Sequence, residues 1–133
     1  MMENTGDGGG EPAPQKYEVR KHKDMPSPRP GGAESHHGMM SAWMEKHFKG
    51  YAPGEAPAIL MPGEMHNATR SVYNTWRAQM KQQMGGKFDW AKVTEADMTA
   101  LSEKMFDAAK VPEAVRAEFW KQFNKFKSTL TRT

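Results

Sequence analysis

Cysteine is absent from the 133 residues. That absence removes disulfides, thiolate zinc sites, iron–sulfur clusters and cysteine nucleophiles together. It also excludes the zinc deaminase pattern, which needs a paired-cysteine ligand set. Any metal must be held by imidazole, carboxylate, amide or backbone oxygen, and water. No apolar run approaches the ~20 residues that cross a bilayer. The first residues, Met1-Met2-Glu3-Asn4-Thr5-Gly6-Asp7, lack the basic start and apolar stretch of a signal peptide. Export, if it occurs, is therefore expected to depend on sequence outside this chain. The H-E-x-x-H spacing of zinc proteases is missing, and there is no internal repeat. Charge of one sign is only mildly in excess: the formal net charge is +3, with a pI of about 9.2. Such a balance accommodates a polyanionic partner without demanding one.

What is present fits one modest domain. The chain is polar on average, and its twelve methionines and four tryptophans supply much of the apolar volume. Residues 1–15 are rich in Gly, Pro and acid and are read as a linker or disordered tail, leaving 16–133 as a single domain. Tyr17 and Val19 alternate with charge, as in a short strand or extended arm. Met25 to Gly32 is punctuated by prolines and glycines. From Met39 to about Phe48 the spacing of Met40, Trp43, Met44 and His47 is helical. Pro57-Ala58-Ile59-Leu60-Met61 is too short for a helix and reads as a buried strand. Met65, Thr69, Val72, Tyr73, Trp76 and Met80 define a helix from about Glu64 to Gln83, stopped by Gly85-Gly86. Thr94 to Asp97 resembles a capping box. The helix it opens carries Met98, Leu101, Met105, Ala108 and Ala109, and Val111-Pro112 interrupts it. A last helix places Val115, Phe119, Phe123, Phe126 and Leu130 on one stripe.

Histidine is where chemistry can reside. Glu34-Ser35-His36-His37-Gly38 holds a doublet between the punctuated lead-in and the first helical pattern. An imidazole is a proton acceptor and a metal ligand near neutral pH. His66 follows in the first turns of the helix entered from the Pro57–Met61 strand. If these segments pack together, two or three imidazoles converge, and a divalent ion so held keeps positions open for water and a phosphate oxygen. The remaining histidine can take a proton from an attacking water. Arg70 lies one turn from His66 on the same helix face, where a guanidinium can grip phosphate. The set suits phosphodiester hydrolysis.

Ser35-His36-His37, and Pro57 to Pro62 followed by His66-Asn67-Ala68-Thr69-Arg70, resemble the HNH/endonuclease VII (ββα-metal, His-Me finger) nuclease domains. In particular they resemble the double-histidine toxin domains of the SHH, AHH, GHH and WHH types at the C-termini of bacterial polymorphic toxins and Rhs effectors. The likeness spans about residues 17–127. It implies an α+β, mostly helical fold: a short β-hairpin plus helix forming the ββα-metal core, with added C-terminal helices. It implies His37 as general base and His36 and His66 as ligands of a divalent metal. It also implies an endonuclease acting on nucleic acid, DNA ahead of RNA, as a secreted effector working in the target-cell cytoplasm, with a cognate immunity protein. The chain departs from the family at Arg70, where many HNH domains carry another histidine ligand, and it lacks the internal asparagine that orients the base. Either Asn67 or water completes the metal sphere, or Arg70 holds the phosphate. A site with few protein ligands and many waters fits Mg2+, although imidazoles also accept Zn2+, Ni2+ or Mn2+.

Other residues have plainer expectations. His47 completes an apolar stripe and reads as a packed histidine. His22, in a charged arm, reads as inert. Glu34 is a surface carboxylate unless it orients an imidazole. Most of Trp43, Tyr73, Trp76, Trp90 and Trp120 read as core, and the lysines of the last helix as a solvated face. The competing function is a non-catalytic helical module that binds nucleic acid or protein.

Overall fold

The computed structural model describes residues 17–26 and 32–133. The proposed tail and most of the Pro/Gly lead-in fall outside the described residues. Three strands form an antiparallel sheet in the order β1-β4-β2: β1 is Glu18–Lys21, β2 is Glu34–His36 and β4 is Pro57–Met61. A second, two-stranded sheet pairs β3 (Phe48–Lys49) with β5 (Thr131–Arg132). The helices are α1 (Ser41–His47), α2 (Gly63–Gln83), α3 (Glu95–Ala108) and α4 (Glu113–Lys127). The fold is α+β and mostly helical, as the sequence indicated.

β4 is the structural axis. All of its residues are buried, and strand alternation divides them between two clusters. Ile59 and Met61 join the main core with Trp43, Met44, Met98, Leu101, Met105, Phe106 and Phe119. Ala58 and Leu60 join a smaller cluster with Met25. β1 and β2 flank β4 with Val19 and His36 both opposite Ile59, and Ser35 opposite Leu60. The connection from β2 to β4 carries α1, and β4 runs through Pro62 directly into α2. A strand pair feeding one helix is thus the centre of the molecule. Pro62 suits that junction because its fixed φ, here −57°, leads the chain into the first turn.

α2 is stopped where expected, with Gly85 and Gly86 at φ of +87° and +105°. Thr94 and Asp97 form the reciprocal capping box, at 3.0 Å in both directions. α3 buries Met98, Leu101 and Met105, and also Ser102 and Phe106. Two helix ends differ from the sequence reading. α1 ends at His47, and Phe48 turns extended because its backbone pairs with Arg132 of the C-terminal strand. α4 ends at Lys127, so Leu130 lies outside the helix. There Ser128 and Thr129 turn their hydroxyls onto the Lys125 and Phe126 carbonyls at 2.6 and 2.7 Å. Such local bonds compete with helix continuation.

Candidate active site

Strand geometry divides the doublet. His36, the last residue of β2, faces the main core: it is 6% exposed and its ring meets Phe106 edge-on at 6.2 Å. His37 follows, and its ring packs against that of His22 at 4.6 Å between centroids. Gly38 then turns the chain at φ +75° into α1. No other residue fits there, because a Cβ at Gly38 would come within 2.5 Å of the Phe119 ring. The Gly38 carbonyl is within 2.9 Å of the Ser102 hydroxyl, which ties this turn to α3.

α2 brings the second half of the site. His66 sits in its first turns, with its ring T-shaped to His36 at 5.7 Å. Thr69, buried one turn on, donates to the His66 carbonyl at 2.6 Å. His36, His37, His66, Arg70, Tyr73 and Met40 are among the residues lining one cleft of about 290 Å3. A larger cavity of about 520 Å3, between the end of α4 and the start of β4, contains no histidine. Size therefore does not pick out the chemistry here; the side chains do.

Among the described residues, Nε2 of His36, Nδ1 of His37 and Nδ1 of His66 are buried with no hydrogen-bond partner. A buried polar atom left unpaired costs about 1–3 kcal/mol, so three in one cleft form a concentrated stability cost. All three rings are held toward the neutral form. Burial, then the neighbouring His66 and His37, lowers the His36 pKa to about 3. Burial, then His22, lowers that of His37 to about 4. His66 is also lowered, by burial first, with Glu34 opposing and Arg70 adding to the shift. A neutral imidazole is the form that binds metal and accepts a proton.

The donor set tests whether a metal fits. Among the described residues, no group of three or more His, Asp or Glu side chains is assembled as a metal cage. What exists is a pair of imidazoles, His36 and His66, set edge-on to one another, each with an enclosed nitrogen that has no partner there. Imidazole nitrogens are donors that a hydrated divalent ion accepts, with water and substrate at its remaining positions. Asn67 is exposed and is not among the residues lining the cleft, whereas Arg70, also exposed, is one of them.

Two other histidines were assigned by the sequence to plain roles. His47 is packed, stacked on Trp43 at 4.7 Å with Nε2 3.0 Å from the Trp90 carbonyl. His22, read from the sequence as inert, makes specific contacts. It sits in a 3-10 turn after β1 with Nδ1 2.8 Å from Ser35 Oγ and its ring on His37. Its local sequence, Lys21-His22-Lys23, gives no sign of this, because the contact depends on β1 and β2 flanking the same strand.

No solved structure matches the chain significantly. A family model described as an HNH/Endo VII superfamily toxin with a SHH signature matches residues 30–128, and Ser35-His36-His37 supplies those three letters. Nucleases of that superfamily generally use a divalent metal. With most of the chain covered, and with strand, doublet and α2 histidine meeting in one cleft, the chain belongs to the HNH/Endo VII superfamily of nuclease toxins that carry the SHH signature.

Proposed function

We propose that this domain is a metal-dependent endonuclease acting on DNA, with His37 as general base, His36 and His66 as metal ligands and Arg70 as a phosphate contact. The observation that carries this reading is the gathering of three unpartnered, buried ring nitrogens in one cleft. Their cost to stability has no structural return, which fits groups reserved for a metal and a proton. When bound, a divalent ion would stabilise the negative charge that develops on the phosphate and leaving oxygen.

The chain's own groups supply the remainder. His37, neutral at physiological pH, takes one proton from water as the water oxygen bonds to phosphorus. The P–O bond to the leaving nucleoside oxygen breaks, and that oxygen gains a proton from solvent. Arg70 stands one turn from His66 at the cleft's edge, where it can hold a non-bridging phosphate oxygen. Met105 and Met40 form apolar wall of the cleft. Asn67, away from the cleft lining, leaves water as the better-supported completion of the metal sphere. As a toxin domain, the protein is proposed to act in a target cell and to be neutralised in its producer by an immunity protein.

The test uses purified protein with plasmid DNA and, separately, structured RNA under Mg2+, Mn2+, Ni2+ and Zn2+. DNA is expected to be cut with at least one metal and left intact with EDTA. His36→Ala and His66→Ala should lose activity together with metal affinity measured by calorimetry. Rates should fall steeply with added salt, since a polyanion is being bound. Intact DNA under every metal, or cleavage of RNA alone, rejects the proposal.

A further inference from the structure

Resting on the nuclease reading, we propose that His22 is a positioning residue that fixes the ring plane of His37. His22 lies outside the residues 30–128 that match the family, so nothing about the family assigns it a part. A histidine that accepts a proton at one nitrogen is ordinarily held by a hydrogen bond at the other. Here the enclosed Nδ1 of His37, counted above among the nitrogens kept for metal and proton, has no partner among the described residues, so no hydrogen bond there fixes the ring. What meets its ring is the His22 ring, 4.6 Å away between centroids and tilted by 40°.

His22 is equipped to act as that support because it is itself held from two directions. Its backbone N–H donates to the Ala56 carbonyl at 2.9 Å, which anchors the turn to the entry of β4. Its Nδ1 is 2.8 Å from the Ser35 hydroxyl on β2. The turn after β1 and the strand β2 therefore reach each other past β4 through a Ser35–His22 bond, and His37 is packed beside it. This also gives the first letter of the SHH signature a task in this chain. Ser35 orients His22, and His22 orients His37. If packing alone were needed, a hydrogen-bonded imidazole between two half-buried positions would have no advantage over an aliphatic side chain.

The experiment measures kcat and KM for DNA cleavage by wild type, His22→Ala, His22→Phe and Ser35→Ala, with melting temperatures alongside. Small misplacement of a reacting group costs up to about 100-fold. His22→Ala is expected to lower kcat about tenfold or more, with KM within about twofold of wild type. His22→Phe, which keeps a ring but loses the Ser35 bond, should fall between Ala and wild type, and Ser35→Ala should lose less than His22→Ala. Free imidazole should restore part of the His22→Ala rate at concentrations that leave wild type unchanged, which a purely structural defect would not allow. A His22→Ala enzyme with wild-type kcat, or one whose loss follows its melting temperature and ignores imidazole, overturns the assignment. The wild-type rate tests the nuclease reading separately. If wild type is inert, the His37 ring resonances decide by NMR. A His37 ring orientation, read from its nuclear Overhauser contacts, that is lost in His22→Ala with that of His66 unmoved supports positioning, and an unchanged His37 orientation rejects it.

Discussion

The α3–α4 corner and the histidine cleft both gather polar side chains, and they treat them in opposite ways. At the corner Nε and Nη1 of Arg116 and Nε1 of Trp120 all find acceptors. Arg116 donates to Asp107 at 2.7 Å, to Glu103 at 3.3 Å and to the Val111 carbonyl at 2.9 Å, while Trp120 donates to Glu103 at 2.6 Å. In the cleft, three imidazole nitrogens are enclosed and left without partners among the described residues. The corner is organised to hold the helices together. The cleft gives up stability, and the surrounding core, with Trp43, Phe106 and Phe119 fully buried, offsets it. The difference teaches that polarity alone does not mark a site; unsatisfied polarity does.

The largest consequence is a pH dependence of stability. In the unfolded chain each of these histidines takes up a proton near pH 6.5. In the folded protein His37 does so only at about 4 and His36 at about 3. Between those limits the unfolded state binds more protons, so stability is full above about 6.5 and falls as pH drops toward 4 and below. Each such histidine contributes about 1.4 kcal/mol per pH unit inside its window. Urea melts of metal-free protein from pH 7.5 to 4 check this, and His36→Leu should flatten its share of the slope. Stability that stays level or rises on acidification in wild type would erase the contrast with the corner.

A smaller effect is expected where the cleft is joined to the core. Gly38→Ala forces a Cβ into Phe119 at a left-handed backbone position and should destabilise by about 2–4 kcal/mol. Because Gly38 follows the doublet directly, cleavage should fall as well. Thermal melts and rates measured on the same preparation would show both. Equal stability of the variant and wild type would mean that this turn does not hold the doublet.

The smallest effect belongs to the corner itself. Arg116→Ala breaks bonds to carboxylates that are themselves 42% and 70% exposed, so about 1–2 kcal/mol of stability is expected to be lost. Cleavage measured well below the melting temperature should not change. A corner variant that lost activity without losing stability would blur the two regions.

Much of this was legible in the chain, for reasons that differ by residue. Pro57 to Met61 reads as a strand because the four residues between Pro57 and Pro62 are too few for a helix and are apolar throughout. The α2 stripe and the Thr94 box are local patterns, and local patterns survive without tertiary knowledge. The doublet and His66 stood out by chemistry and by likeness to a family. The misses are long-range. Two-residue strands such as β3 and β5 have no periodicity to detect, and their pairing joins Phe48 to Arg132 across most of the chain. His22 was hidden because charged neighbours on both sides look like a solvated arm, and only the shared partner strand reveals its place beside His37. Ser102 interrupts an apolar face, and its value lies in reaching the Gly38 carbonyl.

The central claim is that the unpartnered nitrogens are kept for catalysis. Its most direct test is the rate of DNA cleavage by His37→Ala beside wild type, under the best metal and with both proteins shown to be folded. Loss of a positioned general base predicts a fall of about 100- to 10,000-fold, with melting temperature unchanged or raised because a buried unpaired nitrogen is gone. A His37→Ala protein that cuts DNA at the wild-type rate would contradict the account.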